Sequence, residues 1–173
     1  VFIPSSESEI VFQATNITTL TMEIAPISIE DLKTLLHPDN FDYRQIFLPD
    51  NREVSTQELN LTKNVSEVVR LPLSFQDRPL ESGIYFLQVS SPEIDDEWSW
   101  FNNKFYLIVS ENNLVMKTSM TQAFVWASKL SDYAPVQDAS VDIYTTEGEL
   151  LTEGTTDQGG IFEEAFTGFD EPY

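Results

Sequence analysis

Apolar residues recur at every second position in four separate stretches of this chain, and that period leaves few folds open to it. Leu20, Met22 and Ile24 share one face with Thr18, while Thr19, Thr21 and Glu23 point the other way. The same alternation runs through Val69, Leu71 and Leu73, through Tyr85, Leu87 and Val89, and through Phe105, Leu107 and Val109. Side chains alternate across a strand, so a period of two marks strands with one buried face. Such strands must lay that face against another layer, and a chain made mostly of them folds as packed β-sheets.

The second half repeats the theme at tighter spacing. Strands are expected over 114–120, 122–130, 140–146, 150–156 and 161–166, a spacing typical of a sandwich. Between them, Leu130–Val141 reads as a turn opening into a strand. Pro135 fixes its own φ and lacks a donor, so it suits the mouth of a strand. The run Thr156–Gly160 reads as a tight Asp-x-Gly-Gly reversal. One helix interrupts the pattern: Ser28 is an N-cap, Glu30 and Asp31 fill the first turn, and Leu32, Leu35 and Leu36 follow at helical spacing up to Pro38. The polar stretch 39–62 offers only a short edge strand at Ile46–Leu48. Residues 91–103 read as a long acidic connection between two strands. The best domain boundary is Ser110–Asn113. The reading is therefore all-β, with two immunoglobulin/fibronectin-III-like antiparallel sandwich domains. The first covers 1–111 with a helix near 29–36, and the second covers 112–173 and is truncated.

Charge and composition remove several function classes. The net charge is −20, from 29 acidic and 9 basic residues, and such a surface repels phosphate backbones and anionic lipid heads. Nucleic acid is thus excluded as a partner, and no apolar run is long enough for membrane insertion by this segment. There is no cysteine, hence no disulfide, thiolate metal site or cysteine nucleophile. Both ends read as cuts inside a longer protein.

No motif carries chemistry. His37 is the single histidine, and one imidazole without cysteine makes no transition-metal site. Its position before Pro38 suits a positive group at a helix C-terminus. Glu93, Asp95, Asp96 and Glu97 form the densest acidic patch, read as a solvated loop because the glycine of a calcium loop is missing. Asp132, Asp138 and Asp157 read as turn residues. No Gly-x-Ser-x-Gly elbow or phosphate loop occurs. Trp98, Trp100 and Phe101 are the candidate contact residues, packing at a domain interface or meeting a partner. Asn16, Asn60 and Asn64 head Asn-x-Ser/Thr sequons. No cofactor, no metal and no enzymatic activity are expected.

Taken in order, Gly83–Val89, Lys104–Ser110, Leu114–Lys117, Phe124–Leu130, Ala134-Pro-Val136, Ala139-Ser-Val141 and Thr156-Asp-Gln-Gly159 resemble two consecutive macroglobulin-like domains of the bacterial alpha-2-macroglobulin family. Phe12–Ile24 resembles the opening strands of such a domain. The resemblance implies a large secreted or envelope protein that traps proteases, in which cleavage of a bait segment triggers enclosure. Many members add a thioester from a Cys-Gly-Glu-Gln motif, which this chain lacks. The implied role is a scaffold fragment whose partners are neighbouring domains of the same chain and, through the parent, proteases. The implied location is extracellular or periplasmic, with a parent that can be membrane-anchored. Two rival readings are an adhesin or surface-stalk module, and a carbohydrate-binding accessory domain of a secreted hydrolase using Trp98 and Trp100.

Overall fold

A computed structural model of the chain describes residues 2–94 and 103–166. The chain divides into two units, one formed by 1–31 with 46–110 and the other by 32–45 with 111–173. The segment 32–45, counted above with the first domain, thus belongs with the second unit.

In the first unit, strands β1 (Ser8–Ala14), β4 (Glu67–Phe75) and β5 (Arg78–Pro79) form one antiparallel sheet in the order β1-β4-β5. Strands β2 (Thr19–Ile27), β3 (Glu53–Glu58), β6 (Gly83–Ser90) and β7 (Lys104–Val109) form another, in the order β3-β2-β6-β7. The alternation read from the sequence is the register of the core. Leu20, Met22 and Ile24 of β2, Val69, Leu71 and Leu73 of β4, and Tyr85 and Leu87 of β6 meet in one buried cluster. Each fully buried aliphatic side chain of this kind contributes about 1.5–3 kcal/mol. In β7 the pattern fades toward one end, since Val109 is buried but Phe105 is 47% exposed.

Part of the opposite face of the four-stranded sheet is also covered. Phe86 is fully buried there, with Phe47 set edge-on at 5.8 Å and Tyr106 tilted at 6.4 Å. The Lys104 ammonium donates to the Phe47 carbonyl at 3.0 Å, and burial pushes its pKa down, against the raising effect of Glu23. Glu23 itself pairs with Arg52 at 2.5 Å.

Helix α1 (Ile29–Leu36) lies where its signals placed it. Ser28 Oγ accepts from the Asp31 amide at 3.0 Å, and the Asp31 carboxylate accepts from the Ser28 amide at 3.0 Å, a reciprocal N-terminal cap. Pro38 does end α1, but it also opens a 3₁₀ turn, Pro38–Asn40, that runs into α2 (Phe41–Ile46). The edge strand expected at Ile46–Leu48 is therefore not formed. Ile46 closes α2, and Phe47 is buried against Phe86. Proline is tolerated at the first position of a helical turn, where its missing donor has no partner to lose. The strand of this region is β3, which is exposed along almost its whole length and so shows no alternation to read.

In the second unit, β8 (Asn112–Thr118), β9 (Gln122–Lys129) and β12 (Ile161–Ala165) form a sheet in the order β12-β9-β8. Strands β10 (Ser140–Tyr144) and β11 (Leu150–Thr155) form a separate hairpin, with an irregularity between Ile143 and Tyr144. All five strands were expected from the sequence, with ends shifted by no more than two residues. The core is small: Ala123, Val125, Val141, Ile143 and Phe162, flanked by Leu151 and Phe166. Lys33 of the helical segment sits over the Tyr144 ring at 4.1 Å, a cation–π contact within this unit.

Candidate functional site

The stretch singled out as a turn and reversal folds into one hydrogen-bonded corner. Asp157 Oδ1 accepts from the Gly159 amide at 2.8 Å and the Ile161 amide at 2.9 Å, which closes the β11–β12 reversal. Gly160 has φ +73°, and a Cβ there would stand 2.3 Å from the Ala127 carbonyl oxygen. That carbonyl accepts from the Val136 amide at 3.0 Å, while the Gly160 carbonyl accepts from the Ala127 amide at 2.8 Å. Glycine is required because the backbones of β9, the reversal and the Pro135–Val136 segment meet with no room for a side chain. Thr156, the residue after β11, joins the same corner. It is 2% exposed, and its hydroxyl donates to the Val136 carbonyl at 2.6 Å and accepts from the Ala139 amide at 3.0 Å. The corner is held by backbone groups, the Asp157 carboxylate and one buried hydroxyl. It presents no nucleophile or acid–base pair.

Asp132 and Asp138 are turn residues as read. Asp132 Oδ1 accepts from the Ala134 amide at 3.0 Å, and Asp138 sits at φ 57°. His37 has the structural place expected of it, just after α1. Its amide donates to the Lys33 carbonyl at the end of α1, but its Nδ1 accepts from the Asp39 amide at 3.2 Å. The imidazole caps the turn that follows, because Pro38 restarts the chain at that point. Among the described residues no group of three His, Asp or Glu side chains is placed to hold a metal ion.

Glu93 is exposed, as the solvated-loop reading expects, and it also binds back to the sheet. Its carboxylate accepts from the Thr18 amide at 3.1 Å, from the Thr18 hydroxyl, and from the Ser91 hydroxyl at 2.5 Å. The Ser91 and Thr18 bonds pull its pKa down to about 2. Glu93 thus ties the end of β6 to the start of β2. Sequence reasoning missed this because the partner lies 75 positions away. Asp95, Asp96, Glu97, Trp98, Trp100 and Phe101 lie outside the described residues.

Two of the three sequon asparagines hold each other. Asn64 donates its amide to Asn16 Oδ1 at 2.7 Å, and Asn16 Nδ2 donates to Asn64 Oδ1 at 3.1 Å. Both adopt positive φ, at 58° and 61°. Asparagine tolerates that conformation better than most residues, which accounts for its use in these turns. No helix among the described residues is long and apolar enough to cross a membrane.

These features define a class: mainly-β units whose sheets are antiparallel, with short helical turns and without an assembled reactive site among the described residues. Three crystal structures share this fold. One is native alpha-2-macroglobulin from Escherichia coli spanning domains MG0-NIE-MG1, with a TM-score of 0.72 and 18% identity over 95% of this chain and 54% of that one. A second, spanning domains NIE-MG1 of the same protein, gives 0.68 and 17% identity over 92% of this chain and 78% of that one. The third is Salmonella alpha-2-macroglobulin reacted with methylamine, at 0.66 and 14% identity over 96% of this chain and 10% of that one. The chain therefore spans about half the length of the first of these structures. No protein-family model matches the sequence, and no curated protein matches it significantly. The resemblance to macroglobulin-like domains read from the residues is thus met at the level of the fold.

Proposed function

We propose that this chain is a scaffold segment of a bacterial alpha-2-macroglobulin-like protease trap, structural rather than catalytic. One observation carries the reading: a single alignment to an alpha-2-macroglobulin structure runs through both units and takes in 95% of the chain at a TM-score of 0.72. A chance sandwich match would be expected to engage one unit and lose the other. The local chemistry is in keeping with it, since the corner at Thr156–Gly160 and the clamps at Glu93 and Asn16–Asn64 all spend polar groups on holding strands together. In this reading the parent is exported to the periplasm or the cell exterior. The two units hold neighbouring domains of the parent in place while cleavage elsewhere triggers enclosure of the protease. Rigid cores joined by adjustable contacts are what such a movement needs.

The test is a comparison of the parent with the isolated chain. The parent, incubated with proteases of several specificities, should be cleaved at one segment outside residues 1–173 and should then shield the protease from large substrates. The chain alone should resist digestion and leave protease activity unchanged. A parent that neither encloses nor inhibits any protease would overturn the proposal.

A further inference from the structure

The three sequons of this chain differ in what surrounds them. Asn16 and Asn64 hold each other, and the Thr18 hydroxyl that completes the first sequon is taken by Glu93. Ile17, between Asn16 and Thr18, is buried in the core. A sugar on Asn16 or Asn64 would have to break that clamp. Asn60 lies instead in the link 59–66 between β3 and β4, which holds no helix or strand. Its carboxamide makes no hydrogen bond among the described residues.

The Leu59 amide donates to the Thr18 carbonyl at 2.8 Å, which carries the β2–β3 pairing one residue past Glu58. Exposure alternates onward as it does along a strand. Leu59 and Leu61 pack against the core of the first unit, while Glu58, Asn60 and Thr62 are exposed. Residues at i, i+2 and i+4 of an extended run share a face, so these three present themselves together.

An oligosaccharyltransferase reads those same three positions. N-glycosylation takes Asn-x-Ser/Thr on a surface loop. The bacterial form of the reaction also takes an acidic side chain two residues before the asparagine, through a charge-assisted contact. Glu58-Leu59-Asn60-Leu61-Thr62 meets that pattern in full. Asn16 has Ala14 at the corresponding place, and Asn64 has Thr62.

From this geometry we infer that Asn60 is an N-glycosylation site for an oligosaccharyltransferase of the bacterial type, which draws on a polyprenyl-diphosphate-linked oligosaccharide. Modification requires export of the parent, as in the proposed function, but does not require protease trapping. In the transfer, Asn60 Nδ2 attacks the anomeric carbon of the first sugar. The C–N bond forms as the C–O bond to the diphosphate breaks, the lipid diphosphate leaves, and Nδ2 gives up one proton. Presenting the link costs little, because Thr62 is held through its amide at 2.5 Å and its hydroxyl by Glu67 of the neighbouring strand end, an exchange confined to one short loop.

Trypsin releases Asn60 in the peptide Glu53–Lys63. Mass spectrometry of the parent purified from its source should find that peptide carrying one oligosaccharide, with Asn16 and Asn64 bare. The chain exported into a periplasm that holds a bacterial oligosaccharyltransferase and its lipid-linked oligosaccharide should gain one glycan. Asn60→Gln should abolish it and leave the circular dichroism unchanged. Glu58→Gln removes one charge-assisted contact and should lower occupancy about tenfold. A chain or parent left bare at Asn60, a glycan on Asn16 or Asn64 instead, or occupancy indifferent to Glu58→Gln would each overturn the inference. A bare Asn60 in a parent that still encloses proteases would sink this inference alone.

Discussion

Replacing Thr156 by valine keeps the volume of a buried side chain and deletes only its hydroxyl. That hydroxyl makes two bonds, to the Val136 carbonyl at 2.6 Å and from the Ala139 amide at 3.0 Å. In the variant both backbone groups lose their partner. A typical hydrogen bond contributes about 0.5–1.5 kcal/mol net, and a stranded buried group costs about 1–3 kcal/mol. Val136 and Ala139 are half-buried, so water relieves part of that cost, and the expected loss is about 2 kcal/mol. For a unit of this size, that lowers its melting temperature by roughly 8–16 °C. Thr156→Ser keeps both bonds and sheds one methyl group, an expected loss of about 0.8 kcal/mol. Thermal unfolding followed by circular dichroism, with amide exchange at Val125 and Phe162 to localise the effect, distinguishes the two. The order Val below Ser below wild type is the signature of a polar corner. If the valine variant matched wild type while serine fell below it, the side chain would be acting as apolar filler and the reasoning would fail.

Other expectations follow from the same geometry. Gly160→Ala forces a left-handed φ on alanine and drives Cβ toward the Ala127 carbonyl, so it should cost at least about 2 kcal/mol in urea unfolding. The β4–β5 turn places Gln76 and Asp77 at φ 54° and 56°, so Asp77→Gly should stabilise the chain by up to about 1 kcal/mol in the same assay. Glu93 has a folded pKa of about 2 against an ordinary 4.5. A carboxylate with a depressed folded pKa contributes stability that is present above its unfolded value and is lost as pH falls through the folded one. Its share should therefore disappear between about pH 4.5 and pH 2, and Glu93→Gln should flatten the acid-side slope of stability over that window. Carboxyl NMR titration that places Glu93 at its ordinary value would refute the clamp.

Much of the fold was legible because the period of two survives wherever one sheet face is buried. Leu20–Ile24, Val69–Leu73 and Tyr85–Val89 gave the core register directly. The reading failed where burial gave no alternation. Strand β3 is an exposed edge with polar residues on both faces, and the apolar triplet Ile46–Leu48 is too short to show a period at all. Nor could local pattern show that the His37 ring caps a short 3₁₀ turn after Pro38.

The sequence by itself settled the local choices: strand periodicity, the Ser28–Asp31 cap, the aspartate turns and the demand for glycine at a tight reversal. These depend on neighbours a few positions apart, whose geometry is set by backbone sterics and short hydrogen bonds. Only the tertiary structure decided which distant groups meet. It brought Glu93 to Thr18, Asn16 to Asn64 and Thr156 to Val136. Pairings of this kind depend on how strands are ordered within sheets and on which layer lies above them, and no local pattern of residues encodes that.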